Sequence, residues 1–482
     1  MMRSLYSGIS GLKNHQTRMD VVGNNISNVN TTGFKSGRVT FSDTLSQTLS
    51  GASAPADGRG GTNPKQIGLG SATSSIDTLF TDGSVQSTGV NTDLCLSGNG
   101  LFMVNDGALT YYTRNGNFKF DAKGYYVNSD GLKVQGWMGG KVGETVSTGG
   151  KTTDICIPAG KSMAATATAK ADFTKNLDAA EPMISGMTLT LEDGTTEEVD
   201  AANTDVITVG KNSPVGGKKI TAITLKMSDG TTTTETSGSY KMNTSKPKTT
   251  LLTVYDSLGN AHDVTVYMTK TGASTAGSTW VISVNPDGSG KQVIKDANGK
   301  DITIEMTDAT VKFNVNGGYD SGNGTTTLKL DNGSGSPQTV NMDFTGLTQY
   351  AGSSTAFAST DGNAAGTLKS VSIDSSGVIT GTYTNGLTVQ EAQVAIAQFN
   401  NAAGLTKNGN SLYTASNNSG TPNIGTINDL GCTVTPSSLE MSNVDMASEL
   451  TDMIVTQRGY QSNSKIITVS DELLDTLINM KR

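Results

Sequence analysis

Apolar positions at the two ends of the chain recur at alternating steps of three and four residues. At the N-terminus the stripe runs through Met2, Leu5, Ile9, Leu12, Gln16, Met19, Gly23 and Ile26. At the C-terminus it runs through Met446, Leu450, Met453, Gln457, Tyr460, Ser464, Ile467, Asp471, Leu474 and Ile478. This spacing predicts two α-helices that each carry a heptad seam rather than the broader face of a globular helix. Gly8, Gly11 and Gly23 weaken the first as an isolated helix. The second, from about 440 to 480, has no proline and one glycine, Gly459. At roughly 60 Å it is longer than a small domain is wide, so its seam needs cover from elsewhere.

Between the first helix and the β-rich middle lies MDVVGNNISNVNTTGFK, in which Asn24, Asn25, Asn28 and Asn30 crowd the end of the periodic run. Asparagine and threonine side chains offer the backbone local hydrogen bonds in place of helix bonds. Thr31 and Thr32 therefore mark a stop, and Gly33 is free to take a positive φ before Phe34 docks as an anchor. A buried asparagine cluster without partners would be costly. The stretch is accordingly read as a shaped joint, with Asn24 and Asn25 capping the helix or bridging to the C-terminal one.

The middle reads as β throughout. SIDTLFTDGSVQSTG, GLFMVNDGALTYYTRNGNFKFDAKGYYVNSDGLKVQGW and TTLLTVYDSLGNAHDVTVYMTK alternate short apolar runs with Asp-Gly, Asn-Gly and Gly-Asn turns. Asn115-Gly116, between Thr113 and the Phe118-Phe120 pair, predicts a hairpin. Residues 178–247 are Thr-rich with little bulk, and 366–435 return to the style of 76–150. The expected fold class is multidomain and mainly β, with nested β-domains and N- and C-terminal α-helices pairing as a coiled-coil-like inner domain. The expected division is 1–30 with 437–482 as the terminal helical domain and 31–75 as linker and joint. Residues 76–150 with 366–436 form a first discontinuous β-domain, 151–177 with 248–365 a second, and 178–247 an inserted outer lobe. Insertion at loop tips is physically easy and lets both ends meet.

Charge favours pairing of the ends: Arg3, Lys13, Arg18, Lys35 and Arg38 face a single acid, Asp20, in the first 41 residues, while 437–482 hold seven acids and four bases. The overall charge of −8, without a long basic run, gives no support to a nucleic-acid partner. Cys95, Cys156 and Cys432 stand far apart with no Cys-x-x-Cys and read as small buried hydrophobes. His15, assigned to the polar side of the first helix, and His262, in a predicted hairpin, have no metal spacing. Asp287-Gly288-Ser289-Gly290 and Asp331-Asn332-Gly333-Ser334-Gly335 lack the acid pattern of a calcium loop and read as turns. No phosphate-binding loop, dinucleotide fingerprint or nucleophile elbow occurs, so no cofactor and no catalytic residues are assigned. The polar start has no apolar core of the kind a cleaved signal peptide needs.

LYSGISGLKNHQTRMDVVGNNISNVNTTGF, residues 5–34, resembles the N-terminal signature of the axial proteins of the bacterial flagellum. The run from Leu450 to Leu477, with Met453, Gln457, Arg458, Tyr460, Asn463 and Ile467, resembles their C-terminal partner segment. Within that family VYDSLGNAHDV and VAIAQFNNAAGLTKNGNSLYTASNNSG are most similar to hook subunits, and the Phe34-Lys35 pair fits hook and rod subunits better than hook-associated ones. The resemblance implies a tube-forming structural subunit, not an enzyme, that polymerises with itself at the cell surface into a flexible joint enclosing the export channel. It implies export through the flagellar type III apparatus and contacts with distal rod subunits, a hook cap protein and a hook–filament junction protein. The assembly residues it implies are Leu5, Ile9, Leu12, Met19, Ile26, Leu450, Met453, Tyr460, Ile467, Leu474 and Ile478, lining the innermost layer. In some hooks a lysine and a cysteine are covalently joined; Thr174-Lys175-Asn176-Leu177 has no cysteine at the comparable place, which leaves only Cys156. Another axial subunit, distal rod or hook-associated, is the nearest alternative. A secreted β-rich adhesin would leave both matched ends unused.

Overall fold

The computed structural model describes residues 2–55, 58, 60–214, 217–274, 277–287, 289–295, 299–331 and 337–480. Gly288 and Asn332 to Gly335 of the two turn candidates lie outside the described residues, as do Lys481 and Arg482 and the side chains of Met2, Arg3, Ala273, Ser274 and Leu477. The fold is mainly β, and its two long helices, α1 (Met2–Ser27) and α2 (Met446–Asn479), come from opposite ends of the chain and pack together. The chain divides into two compact units, 1–161 with 368–482, and 162–367.

In the first unit α1 leads through the asparagine-rich turn into strand Gly37–Asp43, which pairs antiparallel with Ser71–Thr78. Beyond that ribbon Ser46–Ser50 pairs with Lys65–Gly68, and every residue of both strands is exposed. The β-domain that follows interleaves early and late strands. Lys133–Met138 pairs with Gly100–Asn105 on one side and with Thr388–Val394 on the other. Each of these strands sends alternate residues into one apolar core, where Phe102, Val104, Phe118, Tyr126, Val134, Ile155, Ile379, Val394 and Ile427 are fully buried. Cys95 and Cys432 are buried as small hydrophobes, and Cys156 is half-buried with its Sγ 3.6 Å from the Lys123 carbonyl.

The Asn115-Gly116 hairpin does not form. Thr110–Thr113 pairs with Gly100–Asn105 and Leu412–Thr414, whereas Phe118–Phe120 pairs with Tyr126–Asn128. Asn115 instead closes a local turn on the Asn117 N–H at 3.1 Å, and Leu94 N–H donates to the Gly116 carbonyl at 3.0 Å. Tertiary partners have taken the backbone groups that a two-residue hairpin would have paired.

In the second unit a five-stranded antiparallel sheet, beginning with the hairpin Lys248–Tyr255 and Ala261–Ser274, shares a core with a six-stranded sheet. In the latter Lys170–Asp178 runs parallel to Gln338–Tyr350. His262 lies in that hairpin opposite Val254, as its sequence context predicts. Residues 184–242 carry a separate core of Ile184, Met187, Leu189, Ile223, Leu225, Tyr240 and their neighbours. The Thr-rich surface of that segment hides more apolar bulk than its composition suggests, because alternate residues of Ile184–Leu191 and Ile220–Met227 all point inward.

Candidate functional site at the helix joint

The two helices run antiparallel: Gly8 lies against Ile466 and Ile467, Gly11 against Asn463, His15 against Gly459, and Asn25 against Glu449. Arg18 and Asp452 form an ion pair at 3.0 Å, with both side chains partly exposed. Such a pair contributes at most about 1 kcal/mol, so packing and not charge holds the helices together. Asp445 caps α2, its side chain accepting from the N–H groups of Ala447 and Ser448.

The contact between helices follows the apolar seams only in part. Ile9, Leu450, Tyr460 and Ile478 stand exposed at 46%, 45%, 38% and 65%. Leu5, Leu12, Met19, Ile26, Met453, Ile467 and Leu474 are half-buried. The positions that bury most fully are Gly8, Asn14, Val22 and Asn25 on α1, with Thr456 and Ser470 on α2. Where the helices meet, Gly8 faces Ile466 and Ile467, Gly11 faces Asn463 and Gly459 faces His15, while Asn14 turns to the strand Ser71–Thr78, donating to Ser71 Oγ at 2.7 Å, and part of the apolar stripe stays at the surface of the single chain. His15 belongs to this internal contact and not to a solvated polar face: its Nδ1 is buried without a hydrogen-bond partner. Glycine at 459 leaves the groove into which its ring packs.

The asparagine motif divides its labour. Asn25, 2% exposed, donates to the Gly37 carbonyl and to Glu449 Oε1, each at 2.9 Å, and accepts from the Gly37 N–H at 2.9 Å. One side chain thereby ties the end of α1 to the first strand and to the first turn of α2. Burial raises the Glu449 carboxyl above its usual range, while the Asn25 hydrogen bond opposes that shift. Asn24 and Asn30 are exposed, and Asn28 donates back to the Asn24 carbonyl and side-chain oxygen. Thr31 donates to Asn28, and Thr32 donates to Asn115 Oδ1 at 3.2 Å.

Gly33 has φ +66° and donates its N–H to the Glu440 carbonyl at 2.8 Å. A Cβ there would lie 2.5 Å from the backbone nitrogen of Asn115, so both conformation and space require glycine. Phe34 is half-buried with the Lys407 ammonium 5.0 Å from its ring centroid. The Phe34 side chain also lines a cavity of about 490 Å³ with Asn24, Asn28, Lys407 and Tyr413.

Beside Phe34 lies a cluster that no local sequence pattern marks. Lys35, Arg114 and Glu440 are at most 1% exposed, and they come from three distant parts of the chain. Lys35 Nζ donates to Glu440 Oε1 and to the Thr81 carbonyl, both at 2.6 Å. Glu440 Oε1 also accepts the Gly83 N–H at 2.9 Å, and Oε2 lies 3.5 Å from Arg114 Nη1. Arg114 donates to the carbonyls of Leu96 and Gly98 and faces the half-exposed Asp82 at 3.4 Å. Burial pushes the Lys35 ammonium below its ordinary value, against the pull of Glu440. Asn443 completes the lock by accepting the Ser36 N–H at 2.8 Å and donating to the Leu79 carbonyl at 2.9 Å. The sequence offered one hint, Lys35 directly after the motif; its pairing with a residue 405 positions away had no local signal.

Among the described residues no group of three or more His, Cys, Asp or Glu side chains could hold a metal, and no helix is long and apolar enough to cross a membrane. What the geometry builds is mechanical: two chain ends joined into a helix pair and fastened by buried polar contacts to a β-domain. This defines the protein as a multidomain structural subunit.

Four family profiles match in chain order. They are the flagella basal body rod protein at 5–35 and the D1 domain of flagellar hook protein FlgE/F/G at 95–172. The D2 domain of flagellar basal body protein FlaE matches 227–363, and the C-terminal segment of flagellar basal body rod FlgEFG proteins matches 435–480. Flagellar hook protein FlgE of Treponema pallidum is 37% identical over 506 aligned residues, and that of Borreliella burgdorferi 38% over 489; each alignment takes in 100% of both chains. Flagellar basal-body rod protein FlgG of Bacillus subtilis is 54% identical over 142 residues, covering 30% of this chain and 54% of its own. The chain belongs to the flagellar hook and rod protein family, and is an axial structural subunit of the bacterial flagellum.

Proposed function

We propose that this chain is the hook subunit of its flagellum, polymerising into a curved, flexible tube that carries motor torque from rod to filament around the export channel. The observation that carries the reading is coverage: relatives named hook proteins align from end to end, whereas the rod relative aligns over 30% of this chain. The terminal helices would form the innermost layer, and Leu5, Ile9, Leu12, Met19, Ile26, Leu450, Met453, Tyr460, Ile467, Leu474 and Ile478 would pack against neighbouring copies. The exposure of part of that stripe in the single chain favours this role. Asn24, Asn25, Asn28, Asn30, Thr32, Gly33 and Phe34 would hold the angle between helices and β-domain.

The five-part division of the chain set out above is kept as part of this reading, with 178–247 on the outer surface. Threonine, serine and glycine contacts between β-domains would slide at small cost as the tube bends, where a large apolar interface would lock one geometry. Partners on this reading are further copies of the chain, distal rod subunits, the hook cap, the hook–filament junction protein and the type III export apparatus. Its place is the hook, outside the cell. Expression in a hookless strain of a related bacterium tests the proposal. Restored motility with curved hooks in micrographs is expected, whereas straight rigid tubes would assign the chain to the rod.

A further inference from the structure

We propose that His15, seated on Gly459, sets the axial register of α1 against α2. The levels at which the pair presents its apolar stripes to other copies then follow; that last clause rests on the axial-subunit reading. Gly459 is the one glycine of the 34-residue α2. A Cβ there would lie 2.5 Å from His15 Cε1 and 2.7 Å from Nε2, so the imidazole would have to leave its seat. On the facing helix a Cβ on Gly11 would lie 2.6 Å from Asn463 Nδ2, and one on Gly8 3.6 Å from Ile466 and Ile467. The notches are therefore reciprocal: α1 receives Asn463 and Ile467, and α2 receives His15 one turn further along.

Glycine inside a helix costs about 1 kcal/mol relative to alanine, so a pair selected for helix stability alone would carry alanine at 459. Sliding by about one turn, roughly 5.4 Å, would set the imidazole against Asn463, whose side chain faces Gly11, or against the fully buried Thr456. The apolar seams repeat every heptad and cannot by themselves tell neighbouring registers apart. The polar contact is kept even though His15 Nδ1 and Thr456 Oγ1 lie buried there without partners. That cost fits a contact that specifies position better than one that supplies binding energy.

The test is disulfide trapping in the full chain with Cys156→Ser, comparing Gly8→Cys/Ile467→Cys, the register seen here, with Gly8→Cys/Asp471→Cys, one turn out. Soluble and sedimented fractions are read separately. The parent chain should trap the in-register pair at least roughly tenfold faster in one of the two fractions, a preference worth about 1.4 kcal/mol. Gly459→Ala, which raises intrinsic helix propensity, should cut that preference to roughly threefold or less, and His15→Ala/Gly459→Ala should restore it. A preference unchanged by Gly459→Ala, or absent from the parent in both fractions, would overturn the proposal. Failure of the parent to form any sedimenting polymer counts against the axial reading instead, and leaves the trapping ratio to decide the register.

Discussion

Replacing Glu440 by glutamine keeps the shape of the side chain and an oxygen for Lys35 and Gly83, but removes the buried anion that lies between two buried cations. The two attractions lost act at 2.6 Å and 3.5 Å. With an effective dielectric near 20 they amount to about 6 and about 5 kcal/mol before solvation is returned. Solvation offsets much of this, and truncating one partner of a buried ion pair costs about 3–5 kcal/mol net. Set against a total stability of about 5–15 kcal/mol for a typical domain, Glu440→Gln should leave the first unit marginal. The expected fall in midpoint is roughly 6–20 °C for a unit of this size.

The assay is thermal unfolding followed by tryptophan fluorescence. Trp137 lies in the first unit and Trp280 in the second, so a Trp280→Phe background isolates the signal. Lys35→Met should cost less, because Glu440 then still holds Arg114 and the Gly83 N–H. Lys35→Met combined with Glu440→Gln should cost less than the two single losses added. Arg38→Met provides the control: its pair with Asp77 is exposed, and its loss should stay within about 0.5 kcal/mol. A Glu440→Gln midpoint within about 2 °C of the parent would refute the claim that the cluster fastens the joint.

Gly33→Ala should cost roughly 2 kcal/mol or more, since its backbone is left-handed and the new methyl meets Asn115, and urea titration of the same background measures it. Asn25→Ala should destabilise the joint by about 1–3 kcal/mol through three lost hydrogen bonds, while Asn24→Ala at an exposed position should stay within about 0.5 kcal/mol. For Glu449 the folded chain holds its proton more tightly than the unfolded chain. Its contribution to stability is therefore complete below the unfolded value of 4.5 and is lost as pH rises through the folded value. Glu449→Gln should flatten that slope in a series of denaturation curves while keeping the Asn25 contact. Protease digestion of the free subunit should remove the terminal helices first, and polymerisation should protect them; resistant ends in the monomer would count against ordering on assembly.

The heptad steps made both helices legible, because a period of 3.5 is a local property. Turn chemistry made the hairpin at His262 legible for the same reason. What the residues could not reveal was which stripe of each helix faces the other. Apolar spacing marks Leu5, Ile9 and Leu450 for assembly, and the contact within the chain includes Gly8, Gly11, His15 and Gly459, whose meaning appears only when both helices are present. Asn115-Gly116 misled for a related reason: its local preference was overridden by Gly33 and Leu94, which reach it from elsewhere in the chain. Asn25 was recognisable as a joint residue by its neighbours in sequence. Glu440 and Arg114 were not, since a buried ion pair joins residues 326 apart and neither stands in a distinctive local pattern.

The central claim is that the terminal helix pair drives assembly while the β-domains fold without it. Electron microscopy of the purified full chain beside a version lacking residues 2–27 and 446–480 tests it most directly. Curved tubes from the full chain, and only folded monomers from the shortened one, are the predicted result. The same tubes from both would contradict it.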